Sequence, residues 1–391
     1  MLSTELMKHC KDVILPYWMK LKDEKYGGYY GMVDFNLKID EKADKGVILN
    51  SRILWFFSNA YMIVKDKKIK DCMEHAYEFL VKKCLDYEYD GVFWMLDYEG
   101  NVKESMKHTY NQAFAIYALT AYYEATQKSE ALNRAMYLFD CIEEKCVDKY
   151  GYKEAFDRQW NPIENEKLSE NGVNASKTMN TLLHLLEAYT ELYKISGNLR
   201  VRKRLLYILE LFEKKVYNPE EAKLEVFFDE RMNSIADLYS YGHDIEASWL
   251  LDRAADVLRD DIILQRVNNM TNSLAKSIYD NAMDGCSVNN EKFNGVIDKT
   301  KVWWIQAESV VGFYNAFERS NNLEYLTTAE KIWNYIKEHF VDKRKGSEWY
   351  WDLSAFGIPE SRKPITEPWK CPYHNGRMCF EIYRSIPVIQ K

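Results

Sequence analysis

No glycine-rich phosphate loop occurs in this sequence, neither a GxGxxG turn after a strand nor a P-loop. Both motifs close backbone amides around phosphate, so their absence gives no sign of a nucleotide cofactor. No CxxC pair occurs either, although there are eight cysteines, at positions 10, 72, 84, 141, 146, 286, 371 and 379. The usual thiol metal motif is therefore missing, and the scattered thiols read as free and buried, as in a cytoplasmic protein. No uninterrupted run of 18 apolar residues is present, so no membrane-spanning helix is expected. The N-terminal stretch MLSTELMKHCKDVILPYW carries acids and no apolar core, which does not fit a signal peptide. Basic charge is not in excess, since the formal net charge is −7. Nucleic acid and anionic membrane need clustered Lys and Arg, so neither is an expected partner.

Aromatic residues, by contrast, are plentiful. They make up 15% of the 391 residues, with 29 Tyr and 11 Trp. Hydrophobic residues at 47% and charged residues at 29% are ordinary for a soluble globular chain. Surplus aromatics fit large core side chains or a cleft that stacks on the flat apolar faces of sugars.

Helical periodicity dominates. Runs such as GVILNSRILWFFSNAYMIV, TYNQAFAIYALTAYYEA and VWWIQAESVVGFYNAFERS are apolar around most of their circumference and read as inner helices. Each is followed by a one-sided partner, such as KDCMEHAYEFLVKKC, which reads as an outer helix. Glycine- or aromatic-bearing segments with strand-like alternation begin near residues 27, 90, 150, 223, 284 and 346. Six copies of this unit fill the chain without a linker, which predicts a single domain over residues 1–391. The expected fold is all-α, an (α/α)6 barrel or toroid of six helix pairs with short β-hairpin inserts. Its first outer helix is placed near Thr4–Leu21 and its last inner helix near Pro372–Ile386. An open α-solenoid would use shorter helix pairs with few strand inserts.

Polar residues on otherwise apolar inner helices cost several kcal/mol if buried without partners, so they point to a cleft. Arg52 in VILNSRILWFF needs an anion or a carbonyl partner. Asn180 and His184 are four apart and share a face, as do His243, Glu246 and Trp249 at spacings of three. Glu308 follows Trp304 by one turn, and His374 follows Trp369 and starts the last helix, with Pro372 suited to a helix start. His9, His75 and His339 lie on amphipathic outer helices and read as surface residues, and His108 as a residue of the cleft edge.

Three chemistries fit these residues. Zinc could be held by His243 and Glu246 with His184 or His374, although the spacing matches no familiar helix motif. Glu246 and Glu308 could act as acid and base in glycoside hydrolysis. Histidines on opposite faces of a substrate carbon could move a proton near neutral pH.

The blocks KGVILNSR (45–52), KTMNTLLH (177–184), YGHDIEASWLLDRA (241–254), KVWWIQAES (301–309) and PWKCPYHNGRM (368–378) together resemble the N-acylglucosamine 2-epimerase superfamily. The resemblance spans nearly the whole chain and is nearest the branch acting on β-1,4-linked disaccharides. It implies an (α/α)6 barrel and an isomerase without metal or other cofactor, inverting C2 of a reducing-end glucose. Cellobiose would give glucosyl-mannose and lactose would give epilactose. His243 and His374 would then be the acid/base pair, with His184 assisting ring opening. Arg52 and Asn180 would hold sugar oxygens, and Glu246 and Glu308 would orient histidines and hydroxyls. Trp304 and Trp369 would stack on sugar rings, while Tyr110, Phe114 and Trp249 would shape the pocket. The implied partner is a small disaccharide, and a monomer is expected. A monosaccharide 2-epimerase, a mannose isomerase, an inverting glycoside hydrolase and a non-catalytic sugar-binding toroid are the alternatives.

Overall fold

The computed structural model of the chain describes residues 2–168 and 171–385. The first outer helix runs as α1 (Leu2–His9), a π-helical turn (Cys10–Ile14) and α2 (Leu15–Lys20). Inner and outer helices then alternate: α3 (Val47–Val64), α4 (Lys67–Phe79), α5 (Thr109–Thr126), α6 (Ser129–Lys145), α7 (Met179–Ser196) and α8 (Leu199–Leu211). They continue as α9 (Tyr241–Leu258), α10 (Asp261–Asn281), α11 (Trp303–Ser320), α12 (Leu323–Tyr335) and α13 (His374–Ser385). The odd-numbered helices from α3 onward pack one on the next, and α13 returns to α3 and closes the ring. This is the expected (α/α)6 barrel, with end helices near the predicted boundaries. The last inner helix begins at His374 rather than at Pro372, and its predicted end at Ile386 lies outside the described residues.

Local chemistry repeats with the ring. Inner helices α3, α5, α7, α9 and α11 end on a residue in the left-handed conformation, respectively Lys65, Gln127, Gly197, Arg259 and Asn321. In four of these turns the next residue, Asp66, Asn198, Asp260 or Asn322, accepts a backbone N–H and caps the following outer helix. A left-handed residue followed by an Asx cap reverses the chain in two residues, which packs the outer helix against its inner partner. Val47–Val64 is long and apolar enough to cross a membrane by composition, yet 78% of it is buried inside the protein. Here it forms a wall of the ring.

The short strands pair around the ring and not only within each insert. Lys45–Gly46 pairs with Met95–Leu96, Lys107–His108 with Ala155–Phe156, and Lys177–Thr178 with Phe227–Phe228. The residues entering each inner helix are thus fixed by the following repeat. A second link is ionic. Lys45, Lys107, Lys177 and Lys301 each stand two residues before an inner helix and pair with Asp23, Asp86, Asp148 and Asp284, in the turn after the preceding outer helix, at 2.5–2.8 Å. Together these ties hold the mouth ends of the inner helices, where the candidate site lies. The thiols are free; seven are buried, whereas Cys286 is exposed, contrary to expectation.

Lys45 and Asp23 are almost completely buried. Replacing Lys45→Met leaves the Asp23 carboxylate without its cation, and a loss of about 3 kcal/mol is expected. Urea unfolding checks this; a change within about 0.5 kcal/mol, typical of a surface substitution, would count against the latch.

Candidate active site

The first two turns of the inner helices surround a cavity of about 250 Å³. Arg52 from α3, Tyr110 from α5, Asn180 and His184 from α7, His243 and Glu246 from α9, Trp304 from α11 and His374 from α13 line it, with Trp369. Trp303, Trp351, Lys167 and Leu168 complete the wall.

Each of the three imidazoles is held through Nδ1 by a different partner. His184 Nδ1 is 3.0 Å from Glu187 Oε2, His374 Nδ1 is 2.7 Å from Glu308 Oε1, and His243 Nδ1 is 2.7 Å from Ser240 Oγ. Tying Nδ1 leaves Nε2 as the working nitrogen of each ring. The Trp304 ring lies 4.9 Å from His243 and 5.4 Å from His374, so it contacts both imidazoles. Gly242 permits this approach, because a Cβ there would lie 2.5 Å from the Trp304 ring.

Arg377 sits behind these histidines, fully buried. Its guanidinium pairs with Glu187 and Glu246, and with Glu308 Oε1 at 2.7 Å, so it holds one carboxylate from each of three inner helices. It also lies over the rings of Trp249 and Tyr373. Against the cost of burial, Arg377 and His184 hold Glu187 down to about 2. Burial pushes Glu308 up to about 8, with Glu246 adding to the shift and Arg377 opposing it. Burial draws His243 down to about 4 and His374 well below the usual histidine range, the latter helped by Arg377 and Arg52. Both imidazoles are therefore neutral near pH 7, while Glu308 retains a proton.

Arg52 is arranged differently. It is buried, and no carboxylate lies within ion-pair distance among the described residues. It donates to the Tyr110 hydroxyl at 2.7 Å and rests on the Phe114 ring at 4.1 Å. Its Nε and the Asn180 Oδ1 have no hydrogen-bond partner among the described residues. Such a cation, positioned but not neutralised, can bind an oxyanion.

Several expectations change. Glu246 pairs with Arg377, and Ser240, not Glu246, holds His243. Phe114 lies under Arg52 and His184, and Trp249 donates Nε1–H to Glu308 Oε2 at 3.0 Å, so both support the site from behind the cavity wall. Glu308 likewise acts from behind His374. His108 is not at the cleft edge; it is wholly buried, caps α5 by accepting the Tyr110 N–H, and faces Asn165 at 3.1 Å. His9 is not a free surface group, since it accepts from Trp349 Nε1 at 2.8 Å, and half-buried His75 meets the Gly28 carbonyl at 2.9 Å. Sequence reasoning missed Arg377, Glu187, Ser240, Tyr373, Trp303 and Trp351. Glu187 and Ser240 stand three residues from His184 and His243, and Arg377 three from His374, so helical spacing from each histidine was the available signal.

Glu246, Glu308 and His374 offer ligand atoms within 4.8 Å of one another. The positive charge in that cluster is already the Arg377 guanidinium, which a metal ion would have to displace.

Comparison with known proteins places this geometry. Residues 28–375 match the family model described as N-acylglucosamine 2-epimerase. The cellobiose 2-epimerase of Ruminococcus albus is 51% identical over 382 residues, covering 98% of each chain. The structure of cellobiose 2-epimerase from Bacillus thermoamylovorans superposes with a TM-score of 0.95 at 44% identity, over 98% of this chain and 99% of that one. A D-mannose isomerase structure, at 17% identity and a TM-score of 0.83 over 98% of each chain, shares the fold.

Substituting Arg377→Met leaves the buried carboxyl groups of Glu187, Glu246 and Glu308 without their cation, and a loss of at least about 3 kcal/mol is expected near neutral pH. Without the cation Glu187 is no longer held down against its burial, so the folded variant binds a proton that the folded wild-type protein does not. The deficit should then be smaller at pH 5 and grow as pH rises towards 8. Unfolding free energies of both proteins across that range check this; a deficit independent of pH would contradict the hub.

Proposed function

Because the chain belongs to the N-acylglucosamine 2-epimerase family, we propose that it is a cellobiose 2-epimerase, an isomerase that inverts C2 of the reducing-end glucose in β-1,4-linked disaccharides. Cellobiose then gives glucosyl-mannose, and lactose gives epilactose. The observation that carries the roles of the residues is that two neutral imidazoles, with unlike Nδ1 partners, line one cavity beside an unneutralised guanidinium.

The chemistry follows from those groups. The C2 proton is acidic only next to an open-chain aldehyde, so the pyranose must first open, and His184 is placed to assist. His243 is neutral at pH 7, with Nε2 free to take the C2 proton. The resulting enediolate carries negative charge on oxygen, for which Arg52 is a fixed donor and Asn180 a further contact. The protonated Glu308 and His374 form the opposing acid. As His374 Nε2–H passes to C2 from the other face, the Glu308 proton moves to Nδ1, and no unpaired charge is left on the ring. The reverse reaction uses the same two groups in exchanged roles. Trp304 and Trp369 supply flat faces for the sugar rings. No electron leaves the substrate, so no redox cofactor enters the scheme.

Glycoside hydrolysis is disfavoured by the same geometry. It needs one carboxylic acid and one carboxylate across the scissile bond. Glu246 is paired with Arg377, and Glu308 lies behind His374.

With cellobiose in D2O the epimer should carry deuterium at C2, read by NMR, and His243→Ala and His374→Ala should each lower kcat by about 10²–10⁴-fold with the fold intact. Release of glucose in place of an epimer would contradict the assignment, and a wild-type rate in either variant would remove that histidine from the mechanism. The pH profile has a sign as well. The base form of His243 is lost as pH falls through about 4, and the Glu308 proton as pH rises through about 8, so kcat/KM should be bell-shaped between these limbs. An acid limb at the usual histidine value, about 6.5, would contradict the buried, neutral imidazole.

A further inference from the structure

Ser240 occupies the position where a serine ordinarily caps a helix. It directly precedes α9, and its side chain makes no capping hydrogen bond. At the equivalent place before α7, Thr178 Oγ1 accepts the Thr181 N–H, and before α5, His108 accepts the Tyr110 N–H. A serine cap is worth about 1 kcal/mol to a helix, and α9 forgoes it. The Ser240 hydroxyl is instead 2.7 Å from Nδ1 of His243, three residues on. Its backbone is fixed by pairing of Leu238–Ser240 with Glu291–Phe293.

We infer that Ser240 is a positioning residue for the epimerisation, accepting the Nδ1–H of His243 so that Nε2 faces the substrate as the unprotonated nitrogen. This rests on the reading of His243 as a proton-transfer group. It also explains why the two imidazoles differ. Glu308 gives His374 a titratable partner that can store a proton, whereas a hydroxyl is a neutral acceptor and does little to stabilise an imidazolium. The charged and titratable groups around His243 are Glu246 on its own helix, His184 from α7 and His374 from α13; Trp304 from α11 contributes only its ring. Burial lowers the His243 pKa, Glu246 raises it, and His184 lowers it. A hydroxyl at position 240 leaves that balance on the low side, which keeps His243 a base down to acid pH.

Three variants test this with cellobiose as substrate, each checked by thermal unfolding. Ser240→Ala frees the ring to take the other tautomer, and kcat should fall about 10–100-fold with KM changed less than about threefold. Ser240→Thr keeps the hydroxyl and should restore most of kcat. Ser240→Asp offers a carboxylate and should move the acid limb of kcat/KM upward by at least about one pH unit. Wild-type kcat in Ser240→Ala, or an unmoved limb in Ser240→Asp, would overturn the inference even though the wild-type enzyme epimerises cellobiose. If the wild-type protein fails to epimerise, the reading beneath it falls instead. Should Ser240→Ala not fold, the Thr rescue and the Asp limb decide between a positioning role and a purely structural one, since only the first moves a pH profile.

Discussion

A single buried guanidinium sets the geometry on which the rest of the site depends. Arg377 on α13 binds Glu187 on α7, Glu246 on α9 and Glu308 on α11. Carboxyl groups this close cannot carry charge in an apolar interior unless a cation sits among them. With Arg377 in place, two of those carboxylates are free to reach outward and hold His184 and His374 through Nδ1. The ring closes α13 against α3 and α11. The charge cluster adds α7 and α9, so the proton-transfer groups are fixed relative to one another by both apolar packing and ion pairing.

That arrangement solves a particular electrostatic difficulty. Inverting a carbon by proton transfer needs an acid and a base at the same pH, yet two buried histidines in similar surroundings would titrate together. Unlike partners separate them. His374 leans on Glu308, whose raised pKa stores a proton, and His243 leans on a hydroxyl that stores none. Arg52 is the counterpart on the substrate side. It is buried on an aromatic face with no carboxylate in ion-pair distance among the described residues, so its charge remains available for an oxyanion.

Much of this was legible in the sequence. Apolar periodicity separated inner from outer helices, and the recurring aromatic inserts gave the six-fold repeat and hence the ring. Arg52, His184, His243 and His374 stood out because polar residues on all-round apolar helices need a reason to be there. Their partners were harder to see. Glu187 and Ser240 look like ordinary helix and turn residues until their i+3 relation to a histidine is combined with burial. Arg377 is one basic residue in a polar-looking segment, and only the convergence of α7, α9 and α11 shows how many carboxylates it must neutralise. The pairing of Glu246 with Arg377 was hidden for the same reason: neighbours on one helix are visible in sequence, but competition from a charge on another helix is not. The latch lysines were likewise hidden, since Lys before a helix usually reads as a solvated residue.

The most direct test is where the reacting carbon lies. A crystal structure with the open-chain alditol of cellobiose, which holds the opened sugar without reacting, would show it. The account predicts C2 between the two imidazoles, with Nε2 of His243 and Nε2 of His374 on opposite faces, each within about 3 Å of the hydrogen-bonding groups at that carbon, and Arg52 at the C1 and C2 oxygens. A complex in which both imidazoles lie on one face of C2, or in which either is out of reach, would contradict it.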